Sequence, residues 1–192
     1  MIRQILLIAL LFTGPLYAQE SRWETYDFSG DPAAGGLKAQ IRFPRDFLVN
    51  PVTNPGVIKQ FDKTGRDGTS YVTVARIDLG PSFLTSLFKN KDGTWNEERV
   101  NFFWRGITER LDGLEEYEIF TYLGYPACNM ELTQLLAGKE KNDRLISIRF
   151  ILYEGAVIKL ECGDITKDRE KVSHKTLYSE VCRPFFESLT FE

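Results

Sequence analysis

Apolar and polar residues alternate over most of the chain, and only a few segments carry helical spacing instead. Leu37, Ala39, Ile41 and Phe43 are separated by Lys38, Gln40 and Arg42, the two-residue period of a strand with one buried face. Pro44 ends that run. Trp23 to Phe28 reads as an earlier strand, and Ser29-Gly30-Asp31-Pro32 with Gly35-Gly36 as the loop between them. Asn50 to Gly56 holds two prolines and two asparagines and reads as loop. Gly56–Phe61 and Tyr71–Leu79 then predict a hairpin across the turn-rich stretch Asp62–Gly68.

The pattern next switches to helix. Thr94-Trp95-Asn96-Glu97 has the spacing of a capping box, with the Thr94 hydroxyl serving an orphan amide and Glu97 reaching back. Val100, Phe103, Trp104, Ile107 and Leu111 follow as one apolar stripe, opposite Arg99, Arg105, Glu109 and Arg110. Asp112-Gly113 supplies the stop, and Gly106 weakens the interior by about 1 kcal/mol. Three more strands are predicted from Tyr117–Leu123, Ala127–Leu136 and Leu145–Tyr153. Glu154-Gly155 is a two-residue hairpin turn into a last long strand, with Ala156, Ile158, Leu160 and Cys162 on its core face. Asp168–Leu189 has helical spacing at Leu177, Tyr178, Val181, Cys182, Phe185 and Leu189, with a kink or break expected at Pro184. This order predicts an α+β fold: an antiparallel β-sheet flanked by α-helices.

The first eighteen residues follow another logic. Arg3 precedes the apolar run Ile5–Phe12, Gly14-Pro15 breaks it, and Ala18 offers a small residue at a cut. That is the order of a secretory signal peptide, too short to span a bilayer. The expectation is a signal peptide at 1–18 and a single exported domain at 19–192, periplasmic or secreted, with no stable membrane insertion after cleavage. The composition is 43% apolar and 13% aromatic, enough for a packed core. Net charge is −3, with both signs interspersed. The absence of a basic run argues against nucleic acid as a partner.

The strand Ile41-Arg42-Phe43 followed by Pro44-Arg45-Asp46-Phe47 resembles the opening of the PsbP-like family, which includes DcrB-type bacterial proteins. The hairpin ending Tyr71-Val72-Thr73-Val74 and the amphipathic helix after it fit the same resemblance. So do Gly124-Tyr125-Pro126-Ala127 before a three-stranded meander and the closing Phe185-Phe186-Glu187-Ser188-Leu189-Thr190-Phe191. Phe47 stands where the family usually has tryptophan, and Gly80–Lys91 is longer than its average. The resemblance implies an α/β/α sandwich and a non-enzymatic role in binding or assembling other proteins. It carries over no catalytic residues and no cofactor.

Several residues invite a chemical reading. Cys162 ends the core face of a strand and Cys182 lies on the stripe of the helix expected to cover it. A disulfide between them would stabilise by about 3 kcal/mol in the chain-entropy model; Cys128 is the alternative partner for Cys162. His174 is the lone histidine and the only base near neutral pH, but it sits beside Lys171 and Lys175 in a polar setting, and no nucleophile elbow accompanies it. Glu115 and Glu116 point to opposite faces of a strand and cannot act together. Asp62, Asp67, Asn90 and Asp92 lack the ligand order of a calcium loop and suit tight turns, so no metal is expected. Phe83, Leu84, Leu87 and Phe88 share one face of a short helix begun by Pro81, either a satellite core cluster or a partner-binding patch. The reading that results is an exported, non-enzymatic module recognising an envelope protein. A small-ligand carrier and a hydrolase using His174 are the alternatives.

Overall fold

The computed structural model describes residues 22–52, 54–66, 68–135, 143–166 and 177–192. Among these, seven strands form one antiparallel sheet: β3 (Leu48–Asn50), β4 (Val57–Thr64), β5 (Gly68–Asp78), β6 (Leu114–Tyr122), β7 (Tyr125–Leu135), β8 (Asp143–Tyr153) and β9 (Ala156–Thr166). Their order is β3-β4-β5-β9-β8-β7-β6. A smaller sheet, β1-β2-β10, joins β1 (Trp23–Asp27), β2 (Ala39–Pro44) and β10 (Thr190–Phe191). The strands read from alternation are all present. The predicted hairpin turn is real: Glu154 and Gly155 both have positive φ, 37° and 90°, the twist that matches two flanking strands.

Because side chains alternate across a strand, the large sheet buries two separate clusters. On one face Phe61, Val72, Val74, Ile158 and Leu160 pack with Ile41 and Phe43 of the small sheet and with Phe185 and Phe186. On the other, Met130, Leu132, Ile146, Ile148 and Leu152 pack against Val100 and Trp104. These last two belong to α2 (Glu97–Thr108), which follows α1 (Pro81–Phe88). The stripe expected at Val100 and Trp104 is the buried one.

Three expectations need correction. The cap of α2 is Asn96, whose side chain accepts from the Arg99 amide at 3.0 Å. Thr94 instead gives its hydroxyl to Asp92, because the chain turns sharply before the helix. The helix ends at Thr108, ahead of the Asp112-Gly113 stop. Gly113 serves a different contact: its carbonyl accepts from the Thr133 amide at 2.9 Å, and a Cβ there would strike the Thr133 carbonyl.

The third concerns the C-terminal segment. The described residues hold a π-helical turn, Tyr178–Cys182, running into the short α3 (Arg183–Glu187). Pro184 falls in the first turn of α3. A π turn bonds residues five apart, as the Arg183 amide does to the Tyr178 carbonyl, so the missing proline donor falls where the ladder changes register. Asp168 to Thr176 lie outside the described residues. What the described residues form is two antiparallel sheets, ten strands in all, with few helices; the described part of the segment foreseen as the last helix is helical, with its register changing at the π turn.

Candidate functional site

The exposed side of α1 and α2 carries the clearest apolar surface. Pro81 occupies the first turn of α1, where a missing amide donor is harmless. Phe88, at its last turn, is only 4% exposed and meets the Phe103 ring edge-on at 5.1 Å. Phe103 in turn lies 4.9 Å from Trp104. Of the apolar residues foreseen as one patch, Phe88 therefore separates from Phe83 and Leu87, and the Leu84 side chain lies outside the described residues. Phe88 belongs to the core, while Phe83 and Leu87 remain 43% and 41% exposed. The face is completed by Phe102, 80% exposed, which sequence reasoning missed; its signal was an aromatic on the polar side of an otherwise clean stripe.

Phe83, Leu87, Phe102, Phe103 and Ile107 line a cavity of about 730 Å³, rimmed by Glu98, Arg99 and Arg110. Gly106 lies on its wall, and a side chain there would meet nothing within 4 Å. Its helix-weakening absence of a side chain is thus not demanded by close packing; it leaves the cavity open. Arg99 reaches the Ser86 and Leu87 carbonyls at 3.4 Å each. That places a cation at the C-terminal end of α1, where the helix dipole favours it, and links the two helices.

The remaining candidates are distributed elsewhere. Cys162 and Cys182 stand at disulfide distance with Cα atoms 5.4 Å apart, both fully buried. Cys128 lies on the opposite sheet face, buried among Met130 and Leu132, so it and Cys162 do not meet. Burial, aided by the charge of Glu118, pushes the Cys128 thiol up to about 12. Asp92 accepts from the Thr94 amide and hydroxyl; those bonds hold its carboxyl below the usual range, the chemistry of a turn. Asp62 accepts from Asn50. Glu116 and Glu118 share one sheet face, whereas Glu115 falls at a bulge. His174 and Asp67 lie outside the described residues, as does residue 18 with the segment before it. No group of three His, Cys, Asp or Glu is arranged for a metal ion among the described residues.

A wider groove of about 1300 Å³ runs beside the β4–β5 turn, past Phe47, Lys63, Arg66, Asp164 and Val181. Its charges are partly matched internally: Lys63 pairs with Asp46 at 2.5 Å. Asp164 accepts from Ser70 at 2.9 Å; burial raises its carboxyl pKa and that one bond only partly opposes the rise.

No protein-family model matches the sequence, and no curated protein matches it. Solved structures do. Cyanobacterial PsbP (CyanoP) from a Synechocystis species aligns at a TM-score of 0.50 and 16% identity, over 89% of this chain and 93% of that one. LpqN, involved in cell envelope biogenesis of Mycobacterium tuberculosis, aligns at 0.49 and 17%, over 91% and 94%. The Ran-binding protein Mog1p of Saccharomyces cerevisiae aligns at 0.49 and 11%, over 88% and 95%. At such identities the likeness is one of fold: the chain resembles PsbP in architecture, as the order of its sequence elements implied.

Proposed function

We propose that this chain is an exported, non-enzymatic module that recognises another protein of the cell envelope, with residues 19–192 acting as one domain. Export is supported by the charged-apolar-small order of residues 1–18 and by a cysteine pair suited to an oxidising compartment. The observation that carries partner recognition is the apolar face of α1 and α2. Phe83, Leu87 and Phe102 are held out to solvent by helices whose other sides are anchored in the core. Large apolar side chains displayed together around a concavity, with a charged rim, are the anatomy of a protein-recognition surface. PsbP-like architecture is compatible with this role, and fold by itself does not assign it.

The test is site-specific. A photocrosslinking residue placed at Phe102 of the exported protein should join it to one envelope protein in near-stoichiometric yield. Phe83→Ser with Leu87→Ser should lose that product while leaving the thermal midpoint within a few degrees. A crosslink pattern unaffected by those substitutions would remove this face from the proposal. A second reading is favoured by the cavity itself, whose 730 Å³ lies in the range of small-ligand pockets, roughly 300–1,000 Å³. An apolar-ligand carrier would take up a hydrophobic fluorophore at one site, with displacement by envelope lipids and no protein crosslink.

A further inference from the structure

Glu98, Phe102, Gly106 and Arg110 follow one another at four-residue spacing along α2 and just past its end at Thr108, and all four line the same cavity. The two central members are opposites in shape. Phe102 is a projecting ring, 80% exposed. Gly106 is a hole, since a Cβ there would meet nothing within 4 Å. A glycine inside a helix costs about 1 kcal/mol against alanine, and no close contact within the chain demands this one. The two outer members, Glu98 and Arg110, are opposites in charge.

The spacing makes this complementarity symmetric. Phe102 and Gly106 lie equally far along the chain on either side of Trp104, and so do Glu98 and Arg110. A two-fold axis crossing α2 at the height of Trp104 sets each of these residues opposite its counterpart on a second copy, and such a contact makes every pair twice. Phe102 then enters the other copy's cavity over Gly106, toward the Phe83 and Leu87 wall, while Glu98 faces Arg110. Arg99 and Glu109 obey the same relation. Rows of residues four apart are those by which packed helices interdigitate, and the missing Cβ lets the two backbones approach closely. A small apolar ligand would use the cavity but not the order of charges along it.

We propose that α2 packs antiparallel on α2 of a second copy, each Phe102 filling the cavity of the other. This rests on the reading of the apolar face as a protein-recognition surface and adds its regulation: self-association covers the face until an envelope partner displaces the second copy. Three exposed apolar side chains per copy make a small contact, so the dimer is weak, with a dissociation constant on the order of 10 µM.

Sedimentation velocity of the mature protein from about 1 µM to about 500 µM brackets that range and should show monomer passing to dimer as concentration rises. Benzoylphenylalanine placed at Phe102, irradiated in a mixture of isotope-labelled and unlabelled protein, should join labelled to unlabelled chains through the α2 segment around Gly106. Gly106→Leu fills the hole and improves helix propensity, so it should keep or raise the thermal midpoint while weakening the dimer at least tenfold. Glu98→Arg and Arg110→Glu should each weaken it several-fold. The two together should restore the parent's affinity, a rescue that requires Glu98 to face Arg110. A chain that stays monomeric at every concentration, a dimer indifferent to Gly106→Leu, or charge reversals that add instead of cancelling would overturn the proposal. So would a monomer that takes up a hydrophobic fluorophore in the cavity, which would assign it to a small ligand. The crosslink from Phe102 to an envelope protein is measured separately, so loss of the dimer leaves that reading standing and loss of that crosslink leaves the dimer.

Discussion

The ring of Tyr71 occupies the space that any side chain on Gly163 would need. The two face each other across β5 and β9, and a Cβ built on Gly163 overlaps the phenol. The phenol lies there because Tyr71 donates to Glu161 Oε1 at 2.7 Å and accepts from Arg144 Nε at 2.8 Å. Overpacking of this kind costs about 1–3 kcal/mol. Gly163→Ala should therefore destabilise by about 2–3 kcal/mol in chemical denaturation. Adding Tyr71→Phe should recover little, since the ring itself is the obstacle.

Two buried carboxylates should give opposite pH signatures. Burial pushes Glu161 up, but Lys159 at 2.5 Å, Tyr71 and Arg144 outweigh it and hold its pKa below the ordinary value. Its contribution is present above the unfolded pKa, about 4.3, and is lost as pH falls through the folded one. Asp164 is the reverse: burial raises its pKa, so its ionisation opposes folding at neutral pH and that opposition is relieved on acidification. Glu161→Gln should destabilise at pH 7 and flatten the acid limb of the stability profile. Asp164→Asn, which keeps an acceptor for Ser70, should stabilise at pH 7 by about 1 kcal/mol. Denaturant midpoints measured from pH 3 to 8 check both signs.

Cysteine chemistry separates the three thiols. Cys128, with its pKa near 12 and no exposure, should resist iodoacetamide in the native protein at pH 8. With a bridge between Cys162 and Cys182, denaturation without reductant should yield one adduct by intact mass, and reduction three. Cys162→Ala with Cys182→Ala should lower stability by about 3 kcal/mol. Three adducts before reduction would remove the bridge.

The β8–β9 turn holds Glu154 at φ 37° and the β6–β7 turn holds Leu123 at φ 50°, a region that asparagine tolerates better than either residue. Glu154→Asn and Leu123→Asn should each stabilise by about 0.5–1 kcal/mol, additively because they sit in different hairpins. Thermal melts of the single and double variants measure this.

Phe88 and Phe102 should respond in opposite ways. Phe88→Ala empties a core position and should cost about 3–5 kcal/mol. Phe102→Ser should leave stability within about 0.5 kcal/mol and act only on recognition. Comparable losses of stability from both would mean that Phe102 is core after all.

The strands were legible because alternation is a local property. Each run such as Ile146, Ile148, Phe150 and Leu152 needs only its own period to declare a buried face, and a turn such as Glu154-Gly155 sets the register of both neighbours. The α2 stripe was legible for the same reason. Its cap was misplaced because Thr94 and Asn96 are both good capping residues, and the choice depended on how Asp92 turns the chain. The separation of Phe88 from Phe83 and Leu87 was invisible because helical spacing does not say which side of a short helix meets the sheet.

What the chain by itself determined was the long strands, the α2 stripe, the faces they bury and the cysteines that could approach; the short β3 and β10 were not among them. The features it determined follow from backbone periodicity and from side-chain polarity read over a few residues. Only tertiary structure decided which faces met. It split the core in two across the large sheet, closed one side with a small sheet, and left Phe102 in solvent. Such pairings depend on strand order and register across long stretches of chain, where the gain from packing the whole sheet outweighs any single local mismatch.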